Sequence, residues 1–113
     1  MDTETRYGKY TTLFSSPSLV ITLQYFKPES STPIQKHTKS SIFVYVLKGV
    51  MKLSFGPFGK HVYICEDDSW KVRKNEPFQF TNTEKTILVF LEVQRGDVAV
   101  EPEIDNFKEE HRG

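Results

Sequence analysis

The sequence predicts an all-β domain, a sandwich or a small barrel. Three observations lead there. Short strand-like runs recur at intervals of about ten residues, with turn signals between them. The central run, residues 42–47 (IFVYVL), is apolar at every position, so both of its faces need cover. No heptad, longer repeat or low-complexity tract is present.

Residues 1–8 are polar and are expected to be a flexible terminus. Residues 9–14 form a short first strand, which Ser15, Ser16, Pro17 and Ser18 break. Residues 19–26 form a clear strand. Leu19, Ile21, Leu23 and Tyr25 share one face, and Val20, Thr22, Gln24 and Phe26 the other. Residues 27–33 (KPESSTP) are a loop, and residues 34–39 a short polar segment holding Gln35 and His37. The runs 42–47 and 50–55 flank Lys48 and Gly49. A glycine at that joint supports a tight hairpin. After the turn at residues 56–59, residues 60–65 (KHVYIC) alternate and close another hairpin. An acidic turn at 66–69, a short strand at 70–72 and a turn at 73–77 follow. Strands at 78–82 and 87–94 complete the set. Residues 9–96 thus make one barrel-like domain. Residues 97–113 are an acidic tail, expected to pack on the barrel or fray.

At 113 residues the chain suffices for one hydrophobic core. Its formal net charge is zero, which argues against electrostatic binding to nucleic acid or to a membrane surface. Cys65 is the one cysteine, so no internal disulfide can form, and a lone thiol fits a reducing compartment. Residues 1–9 lack the apolar core of a signal peptide, and no apolar run reaches membrane-spanning length. The composition therefore reads as a soluble intracellular protein, cytoplasmic or nuclear.

Residues 66–97, EDDSWKVRKNEPFQFTNTEKTILVFLEVQRGD, resemble the second motif and closing strands of the mannose-6-phosphate isomerase type II cupins. The stretch SLVITLQYFKPE…SIFVYVLKGVMKLSF is similar to the C-terminal dimerisation cupin of the centromere protein C family. The resemblance covers about residues 19–94. It implies a small cupin-type jelly-roll barrel (double-stranded β-helix). A metal-binding cupin places two histidines and a glutamate in the first motif and a third histidine in the second. Counting back from Gly49, those positions hold Gln35, His37 and Ile42; counting back from Asn82, the last holds Phe78. Three of the four are not ligands of the required kind, so neither a metal nor another cofactor is expected.

Strand parity extends this reading. If Ile42 points inward, so do Val44 and Val46; if Phe78 does, so does Phe80. The barrel is then filled, with a smaller pocket at its mouth edged by Gln35 and His37. Phe43, Tyr45 and Leu47 fall on the outer face and need a cover, which either the C-terminal tail or a second subunit could supply. The resemblance implies a homodimer through that face.

His37 is the one candidate catalytic residue, a general base for a sugar or keto substrate; its ordinary role is a histidine bonded at the barrel rim. Lys71, Arg73 and Lys74 form a basic cluster that would hold a phosphate, or else a solvated loop. With Gln35, His37 and Phe78 they make up the candidate ligand-binding set. Asp67 and Asp68 read as turn residues, Trp70 as an edge-of-core residue and Cys65 as a small residue at a strand end. His61 and His111 have no partner in the sequence. The expected function is a non-catalytic, metal-free cupin that serves as a homodimerisation or small-ligand-binding module. Two alternatives are a metal-independent isomerase or epimerase acting on a sugar phosphate or nucleotide-sugar, and a protein that sequesters a phosphorylated small molecule. An open cavity holding His37 would favour the enzyme; Ile42 and Phe78 meeting inside would oppose it.

Overall fold

The computed structural model describes residues 2–56 and 58–97. The described strands are β1 (Asp2–Glu4), β2 (Gly8–Ser16), β3 (Leu19–Phe26), β4 (Ser30–Ser31), β5 (Ser40–Lys48), β6 (Met51–Phe55), β7 (Lys60–Ile64), β8 (Ser69–Val72), β9 (Phe78–Asn82) and β10 (Leu88–Gly96). They form two antiparallel sheets. One has six strands in the order β1-β2-β3-β10-β5-β8, the other four in the order β4-β9-β6-β7. Most connections carry the chain from one sheet to the other, as in a double-stranded β-helix.

Two strands were not legible in the sequence. Residues 2–8, read as a flexible terminus, carry β1, which pairs with β2. The loop at 27–33 contains β4, which pairs with the end of β9. The tail expected at 97–113 lies outside the described residues beyond Asp97.

The hairpin expected at Lys48–Gly49 does not form. β5 pairs with β10 and β8, whereas β6 pairs with β7 and β9, so the two strands belong to different sheets. Gly49 makes the crossing, at φ +91°. A Cβ there would lie 3.2 Å from the Ile87 carbonyl oxygen and 3.4 Å from Leu88 Cα. The glycine thus serves both a left-handed turn and a close approach to the start of β10. The second expected hairpin is present: β6 and β7 pair in register from Met51–Ile64 to Phe55–Lys60. Phe58, at its tip, is 88% exposed.

The core lies between the sheets. Ile42, Val44 and Val46 supply it from β5, Met51 and Leu53 from β6, Phe78 and Phe80 from β9, and Leu88 and Phe90 from β10. Each obeys the two-residue alternation of its strand. Ring contacts run through the interior: Tyr7 on Phe26 at 4.9 Å, Phe26 on Phe90 at 5.1 Å, Phe90 on Phe80 at 5.5 Å and Phe80 on Phe78 at 5.2 Å. Trp70 packs at the sheet edge against Phe55, at 5.8 Å.

Asn82 ties the loops at one end of the sandwich. It is fully buried, and its Nδ2 donates to the carbonyls of Phe26, Lys27 and Thr86. Its Oδ1 accepts from the Glu84 amide. One side chain thereby satisfies carbonyls from two connections that the sheets leave open.

Candidate functional site

Four positions mark where a metal centre would lie in a barrel of this kind: Gln35, His37, Ile42 and Phe78. Gln35 and Phe78 are brought together, each donating its amide to the other's carbonyl at 2.8 Å. The His37 ring stands edge-on to Phe78, with centroids 5.4 Å apart. Ile42 and Phe78 are 1% and 2% exposed and belong to one core cluster. An alkyl and a phenyl group offer no lone pair, so this set does not fit a divalent metal.

His37 is itself buried. Its Nδ1 lies 3.1 Å from Gln94 Nε2 and 3.4 Å from Ser40 Oγ, and the Gln94 amide donates to Ser40 Oγ at 2.9 Å. The loop after β8 adds a backbone tie, from the Asn75 amide to the His37 carbonyl at 2.8 Å.

The proposed basic cluster divides. Lys71 lies opposite Phe43 in the β5–β8 pair and faces outward, while Val72, opposite Ile42, faces the core. Arg73 and Lys74 are exposed in the following loop. Asp67 accepts the Tyr45 hydroxyl at 3.0 Å, and the acidic turn exchanges backbone bonds with Val46. Cys65 is exposed just past β7, and His61 packs edge-on against Tyr63. His111 lies outside the described residues.

Sequence reasoning missed a second polar group on the barrel wall. Glu92 shares the inner face of β10 with Leu88, Phe90 and Gln94. Gln24 Nε2 donates to Glu92 Oε1 at 3.0 Å and to Thr22 Oγ1 at 2.9 Å. Desolvation pushes the Glu92 carboxyl up to about 7, and the Gln24 amide only partly offsets it. Tyr7 is also raised, first by burial and then by the negative charge of Glu92. The signal was present in FLEVQ. Its alternation places Glu92 and Gln94 on the face of Phe90, opposite Leu91 and Val93.

The outer face of the same sheet is apolar over several strands. Cross-strand pairing aligns Leu23, Leu91 and Tyr45 in one row, and Phe14, Ile21, Val93 and Phe43 in the next. Phe14, Phe43 and Leu47 are 50%, 42% and 43% exposed.

The sequence profile of the Cupin domain family matches residues 22–94. The chain belongs to the cupin domain family. A search of curated proteins finds no match. Among solved structures, this cupin is similar to TT1209 of Thermus thermophilus, at 16% identity and a TM-score of 0.71, over 77% of this chain and 81% of that one. It is similar to the Cnp3 cupin domain of Schizosaccharomyces pombe, at 14% identity and a TM-score of 0.73, over 93% of this chain and 70% of that one. A predicted oxalate decarboxylase of Thermotoga maritima aligns at 25% identity and a TM-score of 0.71, over 78% of this chain and 79% of that one. Among the described residues, no helix of this cupin is long and apolar enough to cross a membrane.

Proposed function

We propose that this cupin is a homodimerisation module that pairs through the outer face of its six-stranded sheet. The observation that carries the reading is the apolar surface shared by β3, β10 and β5, with Phe43, Tyr45 and Leu47 at one side. Four strands of this sheet, each eight or nine residues long, span roughly 20 by 30 Å. That is of the order of the ~800 Å² per subunit of a stable interface. Polar residues surround the patch: Lys9, Thr11, Ser69, Lys71 and Arg95 lie at its margins. An apolar centre with a polar rim is the anatomy of a protein interface. A second copy is the occupant argued for, because the patch spans several strands and is apolar throughout, which suits an isologous contact.

Static light scattering tests this. The wild type is expected at twice the chain mass, and Phe43→Glu and Tyr45→Glu at the single mass, since each sets a charge in an apolar contact. A wild-type monomer at high micromolar concentration would overturn the proposal.

A further inference from the structure

The formal net charge of zero hides a division along the chain. Residues 1–97 hold thirteen lysines and arginines against ten aspartates and glutamates, whereas residues 98–113 hold two against five. A positive body thus carries a negative tail. Charge is divided again between the two ends of the sandwich, and the register fixes which residues share an end. Lys60 lies opposite Phe55, Phe55 opposite Phe78, and Phe78 opposite Gln35, so Lys36 and Lys60 belong to one end. The loop after β8 joins them through the bond from the Asn75 amide to the His37 carbonyl. That loop brings Arg73 and Lys74, and Lys39 stands just before β5 at the same end. Glu76, whose carboxylate accepts from the Arg73 amide, is the acid among them. The opposite end carries the acidic turn at 66–68, where Glu66 accepts from the Gly49 amide. Glu29 and Glu84, joined there by a backbone bond, put its acids in excess over Lys27, Lys48 and Lys85.

The tail starts at the basic end. The Gly96 amide donates to the Ser18 carbonyl and the Asp97 amide to the Lys39 carbonyl, both at 3.0 Å. Gly96 sits at φ +129°, and a Cβ there would lie 2.5 Å from the Lys39 carbonyl oxygen. Only glycine lets β10 end pressed so closely on that segment. Glu101, Glu103 and Asp105 follow four, six and eight residues after Asp97. Extended chain of that length reaches about 13–28 Å. Neighbouring strands lie about 5 Å apart, so every cation around this end is within range.

We infer that the acidic tail docks on the basic end of its own barrel, with Glu101, Glu103 and Asp105 against Lys36, Lys39, Arg73 and Lys74. Charge complementarity selects this surface. The opposite end would repel the tail, and the outer face of the six-stranded sheet would set carboxylates against apolar side chains at a desolvation cost. Exposed ion pairs are weak one at a time. Here several act together, and the short tether to Asp97 raises the effective concentration of the tail to roughly millimolar. Docked there, the tail covers the junction of residues 34–39 and 73–77, where His37 is buried, and leaves the dimer face open.

The test is paramagnetic relaxation in the full chain. The exposed thiol is removed by Cys65→Ser, and a nitroxide is attached through Asn106→Cys. Amides of residues 36–39 and 73–75 are expected to broaden most, and those of 66–68 and 84 least. Sodium chloride at about 0.5 M should weaken the broadening about twofold or more, because it screens exposed charges. The combined Glu101→Gln, Glu103→Gln and Asp105→Asn substitutions should do the same. Broadening centred on Tyr45 and Leu91, or none above the level at 66–68, overturns the inference. So does broadening that responds to neither salt nor the neutralised tail. A mixture of nitroxide-bearing unlabelled chains with nitroxide-free ¹⁵N chains identifies whose tail it is. Broadening centred on residues 36–39 in that mixture would assign the tail to a second copy and overturn docking on its own barrel. None of these results would touch the subunit mass on which the dimer reading depends.

Discussion

Replacing Glu92 by glutamine should make the domain more stable at pH 8 and leave it nearly unchanged near pH 4. The folded-state value of about 7 lies above the ordinary 4.5. Between those values the native state keeps a proton that the unfolded chain has lost. Stability therefore falls as pH rises through this window and stays low above it. At 1.36 kcal/mol per pH unit the full effect is about 3 kcal/mol. Partial accessibility of the side chain lowers the realistic figure to about 2–3 kcal/mol. Glutamine does not titrate, keeps the shape and still accepts from Gln24. Urea denaturation of both proteins at half-unit steps from pH 4 to 8.5 would measure the difference. Histidines and other titrating groups are common to the two chains and cancel. The gap should open from near zero to its full size between pH 4.5 and 7. Two parallel stability profiles would refute the claim that the carboxyl is desolvated.

Other substitutions probe the frame. Asn82→Ala should cost about 2–4 kcal/mol in urea denaturation, because three carbonyls and one amide lose their partner in a fully buried site. Phe80→Ala should cost about 3–5 kcal/mol by the same assay, since its ring contacts both Phe78 and Phe90. Gly49→Ala should cost at least about 1 kcal/mol, from the left-handed backbone and the 3.2 Å approach to the Ile87 carbonyl. A cost near zero would show that the crossing relaxes freely.

Much of this architecture is legible in the sequence, for identifiable reasons. Residues 19–26 and 78–82 alternate cleanly and have firm turn signals beside them, and the strands occupy those same spans. The inward set of Ile42, Val44 and Val46 follows from parity alone once one member is placed. Pairing partners are harder. A glycine between two strands signals a reversal in direction, but it does not say whether the second strand returns to the same sheet; here it joins the other. β1 and β4 are short and polar, so no apolar alternation marks them; β1 is held by a local hairpin to β2, and β4 by backbone bonds to β9, far along the chain.

The site was legible in part. Gln35, His37 and Phe78 were expected near one another and are. Lys71 is contiguous with Arg73 and Lys74 in sequence, yet its pairing with Phe43 sends it to the outer face. Glu92 was hidden by its setting. Alternation groups Glu92 with Phe90 and Gln94 and opposes it to Leu91 and Val93, but it does not say which of the two faces is inward. Only the sheet order, which buries β10 between β3 and β5, shows that its face is the barrel interior.

The central claim is that the outer face of the six-stranded sheet meets its own copy. The most direct test is an isotope-filtered nuclear Overhauser experiment on a mixture of labelled and unlabelled subunits. Intersubunit contacts are expected from the side chains of Phe43, Tyr45, Leu91 and Val93, which the register sets side by side. Intersubunit contacts arising instead from Tyr63 and His61 on the four-stranded sheet, or none at all, would contradict it.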